Sequence, residues 1–418
     1  MRSGCLQQSL IAAGFAAALA GCGEGATVPA TRPVPGCAAF DHTPCDVRVA
    51  SCTARLFALA ACLRGDVPGD LPPVTVLTEV DFASLLTMEA AMQTVSPHLA
   101  TWDWALSSLR LIEPGGLSAQ TTVSESAAFI WGRYRGGSSK DIQIIDHGAA
   151  FDAQSASPVL IHEMIHALQD REVDLAQFHA TFEMTTDSRL AARSITEGEA
   201  RLHESRYRAS TLGLDPAQVD WTSRFKNAVD RDEQQLAKEA SPLTATSRVF
   251  PYEWGAHYVY NRWGGGGMSA VHGLFLAPPR TTQVLMASAD ADVDVDPEPA
   301  PAPPTPPTPP PGWTMVDSDV LGGAGLFLVL TKSTPDTATA TIEALALGWR
   351  SDGIGIFEGP AGATAVVWRI ELGDAGVAAQ VAALLRGLPK VTVSLVESSI
   401  TLATTTDGGL DWAFSPSS

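Results

Sequence analysis

The chain has 418 residues, 45% of them hydrophobic, and carries a formal charge of −19 at pH 7. The apolar share is enough for a buried core, and the length allows two domains or one large one. So acidic a balance excludes a nucleic-acid-binding protein, which needs a basic surface, and hints at cationic rather than acidic partners.

At the N-terminus Arg2 precedes an apolar run over residues 10–20 and then Leu19-Ala20-Gly21-Cys22. A run of that length suits the apolar core of a signal peptide and is too short to span a bilayer. Small residues before a cysteine resemble a bacterial lipobox. That implies a signal peptide over 1–21, lipidation at Cys22, a flexible tether over 22–36, and an extracytoplasmic protein held to the membrane by its lipid. An ordinary secretory signal, or a misplaced start codon, is the alternative. Cys37, Cys45, Cys52 and Cys62 then remain, an even number within 37–66. Outside the cytosol this predicts two disulfides, in any of three pairings, stapling a segment ahead of the main domain. No Cys-x-x-Cys is present, which argues against a zinc ribbon.

Residues 127–134 and 141–146 read as two strands of a hairpin around Gly136-Gly137, with an edge open to an extended peptide. A helix is expected over 158–173, with Ser157 as N-cap and Pro158 at the first helical position. It carries His162-Glu163-Met164-Ile165-His166. Side chains four apart share a helix face, so His162 and His166 can offer two imidazoles to one Zn²⁺. Glu163 lies about 100° round the axis, where it can reach a water on that ion and act as general base. Asp170, one turn beyond His166, is a candidate acceptor for its ring N–H.

A catalytic zinc needs a third protein ligand and an open position. Glu197 is the candidate, on a helix over 188–207 capped by Asp187. Gly198 beside it costs roughly 1 kcal/mol against Ala in a helix interior and implies close approach to the His162 helix. Glu199, about 200° round from Glu197, is expected to face solvent. Stabilisation of a developing oxyanion falls to Tyr252 or His257 within residues 250–263. Gly264 to Gly267 follow as a loop.

Residues 291–312 are acidic and then nearly all Pro, Ala and Thr, an extended linker. Beyond it, strands at 320–331, 354–358, 363–372 and 391–396 and helices at 336–348 and 374–388 give the order βαββαβ, with 400–404 as an extra strand. That order suggests a ferredoxin-like α+β module over 313–418. It holds no histidine and no catalytic constellation.

His-Glu-x-x-His followed by a separate glutamate helix resembles the gluzincin class of zinc metallopeptidases. Four stretches resemble, more narrowly, a poorly characterised family of exported gluzincin-like proteins. They are His162-Glu163-Met164-Ile165-His166-Ala167-Leu168-Gln169-Asp170, Glu197-Gly198-Glu199-Ala200, Phe250-Pro251-Tyr252, and Pro278-Pro279-Arg280-Thr281-Thr282-Gln283-Val284-Leu285. The likeness covers about residues 63–385. The chain departs from it at Trp254, where the family has a tyrosine, and at Met286, where it has a histidine. The resemblance implies an α+β protein with a helix-rich, zincin-like hydrolytic domain over 67–290 that includes a small hairpin or sheet. The expected activity is hydrolysis of a peptide or protein substrate by metal-activated water. The alternative is a non-catalytic cell-envelope binding lipoprotein with a structural or relict metal site.

Overall fold

The computed structural model describes residues 37, 40–92, 96–291, 301–407 and 410–414. The leader, the tether and Cys22 lie outside the described residues. The four cysteines that follow pair as Cys37–Cys62 and Cys45–Cys52. Both bridges end on helix α1 (Ala50–Arg64), which stops at Gly65 in the left-handed conformation that a glycine adopts freely. Leu56, Leu59, Ala60 and Leu63 of α1 share a buried cluster with Leu160, Ile161 and Met164 of the motif helix. The stapled segment is therefore part of the wall of the core.

Strand β1 (Val74–Thr78) leads into α2 (Glu79–Met92), α3 (Leu99–Ser108) and α4 (Ala119–Phe129), and then β2 (Gly132–Arg135) and β3 (Asp141–Asp146). The expected strand over 127–134 is shorter than its sequence suggests: residues 127–129 finish α4. The sheet order is β1-β3-β2, with β1 parallel and β2 antiparallel to β3. Ile142, Gln143, Ile144 and Ile145 of the central strand are all buried, the mark of a strand covered on both faces.

Helix α5 (Ala153–Val173) begins five residues before the expected start. Asp152 caps it in a reciprocal box with Ser155, two short polar side chains outcompeting Ser157 for the role. Ser157 is instead buried, its hydroxyl exchanging hydrogen bonds with the backbone of Cys45. After α6 (Leu175–Phe182) comes α7 (Thr186–Thr211), capped by Thr185 with Ser188 and not by Asp187. Then follow α8 (Trp221–Leu236), α9 (Pro242–Leu276) and α10 (Thr282–Ala291). The glycine run at 264–267 is no loop. It stays within α9 until Gly267, whose φ of 64° kinks the helix.

Gly198 does mark a close helix contact, but with α9. A Cβ there would lie 2.3 Å from the Gly255 carbonyl carbon, and one on Gly255 would lie 2.2 Å from the Ser194 oxygen. Two glycines facing each other let α7 and α9 cross nearly backbone to backbone.

The C-terminal part consists of β4 (Thr314–Asp319), α11 (Gly322–Ser333), α12 (Thr339–Ala346), β5 (Trp349–Glu358), β6 (Thr364–Leu372), α13 (Ala375–Leu385), β7 (Thr392–Val396) and β8 (Ser399–Thr405). Its sheet runs β4-β5-β6-β8-β7 and is antiparallel throughout. This corrects the ferredoxin-like expectation. Two helices separate the first two strands, those strands pair with each other at the sheet edge where a ferredoxin-like layer would set the third strand between them, and the expected strand at 320–331 is mostly helix α11. Every residue of α11 from Gly322 to Thr331 is buried. A helix buried on all sides shows the unbroken apolar run of a central strand, so periodicity cannot separate the two.

The molecule is thus α+β and predominantly helical, with two small sheets. One apolar cluster runs from α7, α8 and α9 into α11, α13, β5 and β6. At the junction Asp187 accepts from the amide and hydroxyl of Thr282, and Asp319 accepts from those of Thr186. Asp352 accepts from the amides of Leu321 and Gly322 and from the indoles of Trp349 and Trp368.

Candidate metal centre

Helices α5 and α7 lie side by side and bring His162, His166 and Glu197 together. His162 Nε2 is 3.1 Å from His166 Nε2 and 3.0 Å from Glu197 Oε2, and His166 Nε2 is 3.3 Å from the same oxygen. Donors at 2.0–2.1 Å from a tetrahedral zinc stand about 3.3–3.4 Å apart, so three donors at these separations fit that ion closely. The donor chemistry, two imidazoles and a carboxylate, fits as well.

The other ring nitrogens face acceptors, His166 Nδ1 in a hydrogen bond and His162 Nδ1 within ion-pair reach only. His166 Nδ1 is 2.9 Å from Gln169 Oε1, and His162 Nδ1 is 3.3 Å from Glu204 Oε2. An Nδ1–H aimed at an acceptor leaves the Nε2 lone pair for a metal. Glu204 also takes Arg201 at 3.1 Å and Arg208 at 2.9 Å. Burial would raise the Glu204 carboxyl, but the bond to His162 and the two guanidinium groups hold it well below the usual range.

The three groups share charge among themselves. Burial disfavours a charged His162, yet its bonds to Glu197 and Glu204 and the field of Glu163 lift it to about 10. Burial likewise opposes the Glu197 carboxylate, and His166 and His162 outweigh it and hold that group well below its ordinary value. A divalent cation would take over the role of the imidazole protons here.

Glu163 is 5% exposed and lines a cleft of about 600 Å³ that opens beside His162. Burial raises its carboxyl, against the pull of the two histidines and the Tyr134 amide, which donates to it. A carboxylate raised toward neutrality is a better-matched general base. Gly132 of β2 forms the facing wall: a Cβ there would stand 2.6 Å from Val159 Cγ1 and 2.9 Å from Glu163 Oε1. Phe129 and Trp131 make that side apolar, while Arg201, Arg208 and Glu253 charge the other.

Tyr252 of α9 reaches the centre. Its ring stacks on His162 at 5.7 Å between centroids. The charge of Glu197, then burial, keep its phenol protonated well above the ordinary value. His257 does not reach the centre. Five residues along the helix puts it about 140° round from Tyr252, where it is buried with Nδ1 at 3.4 Å from Asn261, which also meets Ser288 of α10. Asp170 is not the partner of His166 either. It accepts from the Tyr134 hydroxyl and the Leu175 amide, both at 2.9 Å, tying β2 and α6 to the end of α5. Glu199, expected at the surface, is fully buried against Arg64 and Gln169.

Sequence reasoning missed Gln169, Glu204 and Arg64. For the first two a signal existed, since Gln169 stands three residues after His166 and Glu204 seven after Glu197, each on the ligand face of its helix. For Arg64, 98 residues before the motif, helical spacing offers nothing. Comparison with protein-family models, with curated proteins and with solved structures finds no match.

Proposed function

We propose that the chain is a zinc metallopeptidase of the extracytoplasmic space, anchored by a lipid on Cys22, with a gluzincin-like site on a zincin-like helical domain. The observation that carries this reading is the convergence of His162, His166 and Glu197, with His162 and Glu163 lining an open cleft. A closed structural site would use four protein ligands; this one offers three among the described residues.

Zinc held by these three residues would supply an acidified water and a centre that polarises a carbonyl. Glu163, one residue from the first ligand and facing the cleft, accepts the proton of the attacking water and returns it to the leaving amine. Tyr252 keeps its hydroxyl proton and donates to the oxyanion as charge develops there. Strand β2 lies at the edge of its sheet, the position at which strand addition pairs an extended peptide. Without a side chain, Gly132 lets β2 pack directly on Val159 and Glu163, which sets this edge strand beside the base.

The test is Glu163→Gln on the full chain with a panel of unstructured peptides. Turnover should fall by roughly 10²–10⁴ while zinc content stays at the wild-type level. Equal turnover in the variant, or none in the zinc-loaded wild type, removes the peptidase reading.

A further inference from the structure

Behind the ligands, on the side away from the cleft, lies a chain of buried polar groups that the proposed chemistry does not use. Arg64, the last residue of α1, is wholly buried. Its Nε donates to Glu199 Oε1 at 3.0 Å and one Nη to Glu199 Oε2 at 3.4 Å, while its remaining donors take Asp66 and Glu172. Glu199 Oε2 in turn accepts from Gln169 Nε2 at 2.8 Å, and that nitrogen also donates to the Thr196 carbonyl at 3.0 Å. The other end of the same amide, Oε1, faces His166 Nδ1 at 2.9 Å.

The donor and acceptor inventory makes this chain directional. A guanidinium can only donate, so both oxygens of Glu199 face it as acceptors. Glu199 and the Thr196 carbonyl then demand the NH₂ end of Gln169, since its oxygen there would meet two acceptors. Its oxygen must turn to His166, where it can only receive a proton. A neutral His166 ring is thereby confined to the Nδ1–H tautomer, which leaves Nε2, the atom facing Glu197 and His162, for a metal.

We infer that Arg64 and Glu199 are positioning residues for the metal centre, fixing the tautomer and ring orientation of His166 through the side-chain amide of Gln169. The inference rests on the metal-binding reading above and assigns work to the N-terminal segment. The helix that ends in Arg64 is stapled at Cys62, so the disulfide region sets one ligand of the centre from a distance.

Zinc affinity of the full chain, read by competition with a chromophoric chelator, tests it. Gln169→Leu and Glu199→Gln should each weaken zinc binding by about 10–100-fold, the range for partners that orient a ligand. Arg64→Met should fall in the same range and Arg64→Lys should recover part of the loss. The visible spectrum of the cobalt-substituted protein should change in Gln169→Leu. Leu59→Ala, which truncates a buried side chain of the same helix, controls for instability alone and should leave affinity and spectrum unchanged. Should Arg64→Met fail to fold, the Gln169 and Glu199 variants decide. Wild type that binds zinc, with those two variants within about twofold of it, overturns the positioning role and leaves the metal reading intact. So does an equal loss in Leu59→Ala. Wild type that binds no zinc overturns both.

Discussion

The metal centre and the junction with the C-terminal part both bury carboxylates, yet they are built on opposite terms. At the junction Asp187, Asp319 and Asp352 are surrounded by donors from amides, hydroxyls and indoles, each already used. At the centre Nε2 of His162, Nε2 of His166 and Oε2 of Glu197 converge within 3.0–3.3 Å, each atom facing the other two. Buried acid alone therefore does not mark a site. Convergence of metal-ligating atoms beside an open cleft does.

The contrast breaks most readily at Glu197. Glu197→Ala removes one of three donors, and zinc affinity should drop by more than ~100-fold, because losing a ligand costs more than losing a ligand's partner. Metal analysis after dialysis reads this directly, and zinc content equal to wild type would reject Glu197 as a ligand. Asp352→Ala is the counterpart at the junction. It strands two amides and two indole N–H groups without an acceptor and should cost ~5 kcal/mol in denaturant unfolding. In the fraction still folded, zinc affinity should not change.

Asp187 sharpens the comparison through pH. Burial first, then the neighbouring Asp352 and Asp319, raise its carboxyl from 3.8 to about 7. Between those two values the folded chain holds a proton that the unfolded chain has lost. Its contribution is therefore whole below about pH 4 and disappears as pH rises through about 7, amounting to up to ~4 kcal/mol. Asp187→Asn mimics the protonated form, and its unfolding free energy should vary less than wild type between pH 5 and 8. A steeper dependence in the variant would contradict this. The smallest effect belongs to Asp170→Asn, which weakens the bond from Tyr134 and should cost ~1 kcal/mol with no change in zinc affinity. A tenfold fall in affinity would return Asp170 to the centre.

What the sequence disclosed follows from range. Glu197 rested in part on a glycine whose close contact is with α9 and not with the motif helix, whereas His162 and His166 are related by one helical turn, which local geometry discloses. The β2–β3 hairpin and an even cysteine count were legible for the same reason. Partners set by packing were not. Asp170 and Glu199 are both helical acids near the motif, and spacing favoured Asp170. Both are buried, and only the placement of α1 reveals that Glu199, held by Arg64, is the one linked to His166 through Gln169. The same limit explains His257, which shares an aromatic-rich helix with Tyr252 but lies on a different face of it. It also explains α11, whose all-round burial erased the period that would have identified it.

The three aspartates of the junction bear on how far the chain can be shortened. Asp187 opens α7, the helix that later presents Glu197, and the hydroxyl of its partner Thr282 receives the Ala324 amide at the start of α11. Ending the polypeptide at the proline-rich stretch would strip α7, α9 and α10 of the apolar side chains of Leu326, Phe327 and Leu330 and leave a greasy, unmatched face. The smallest piece fit for the bench accordingly runs from the first bridged cysteine through β8, although every residue proposed to handle metal or peptide lies in its first two-thirds.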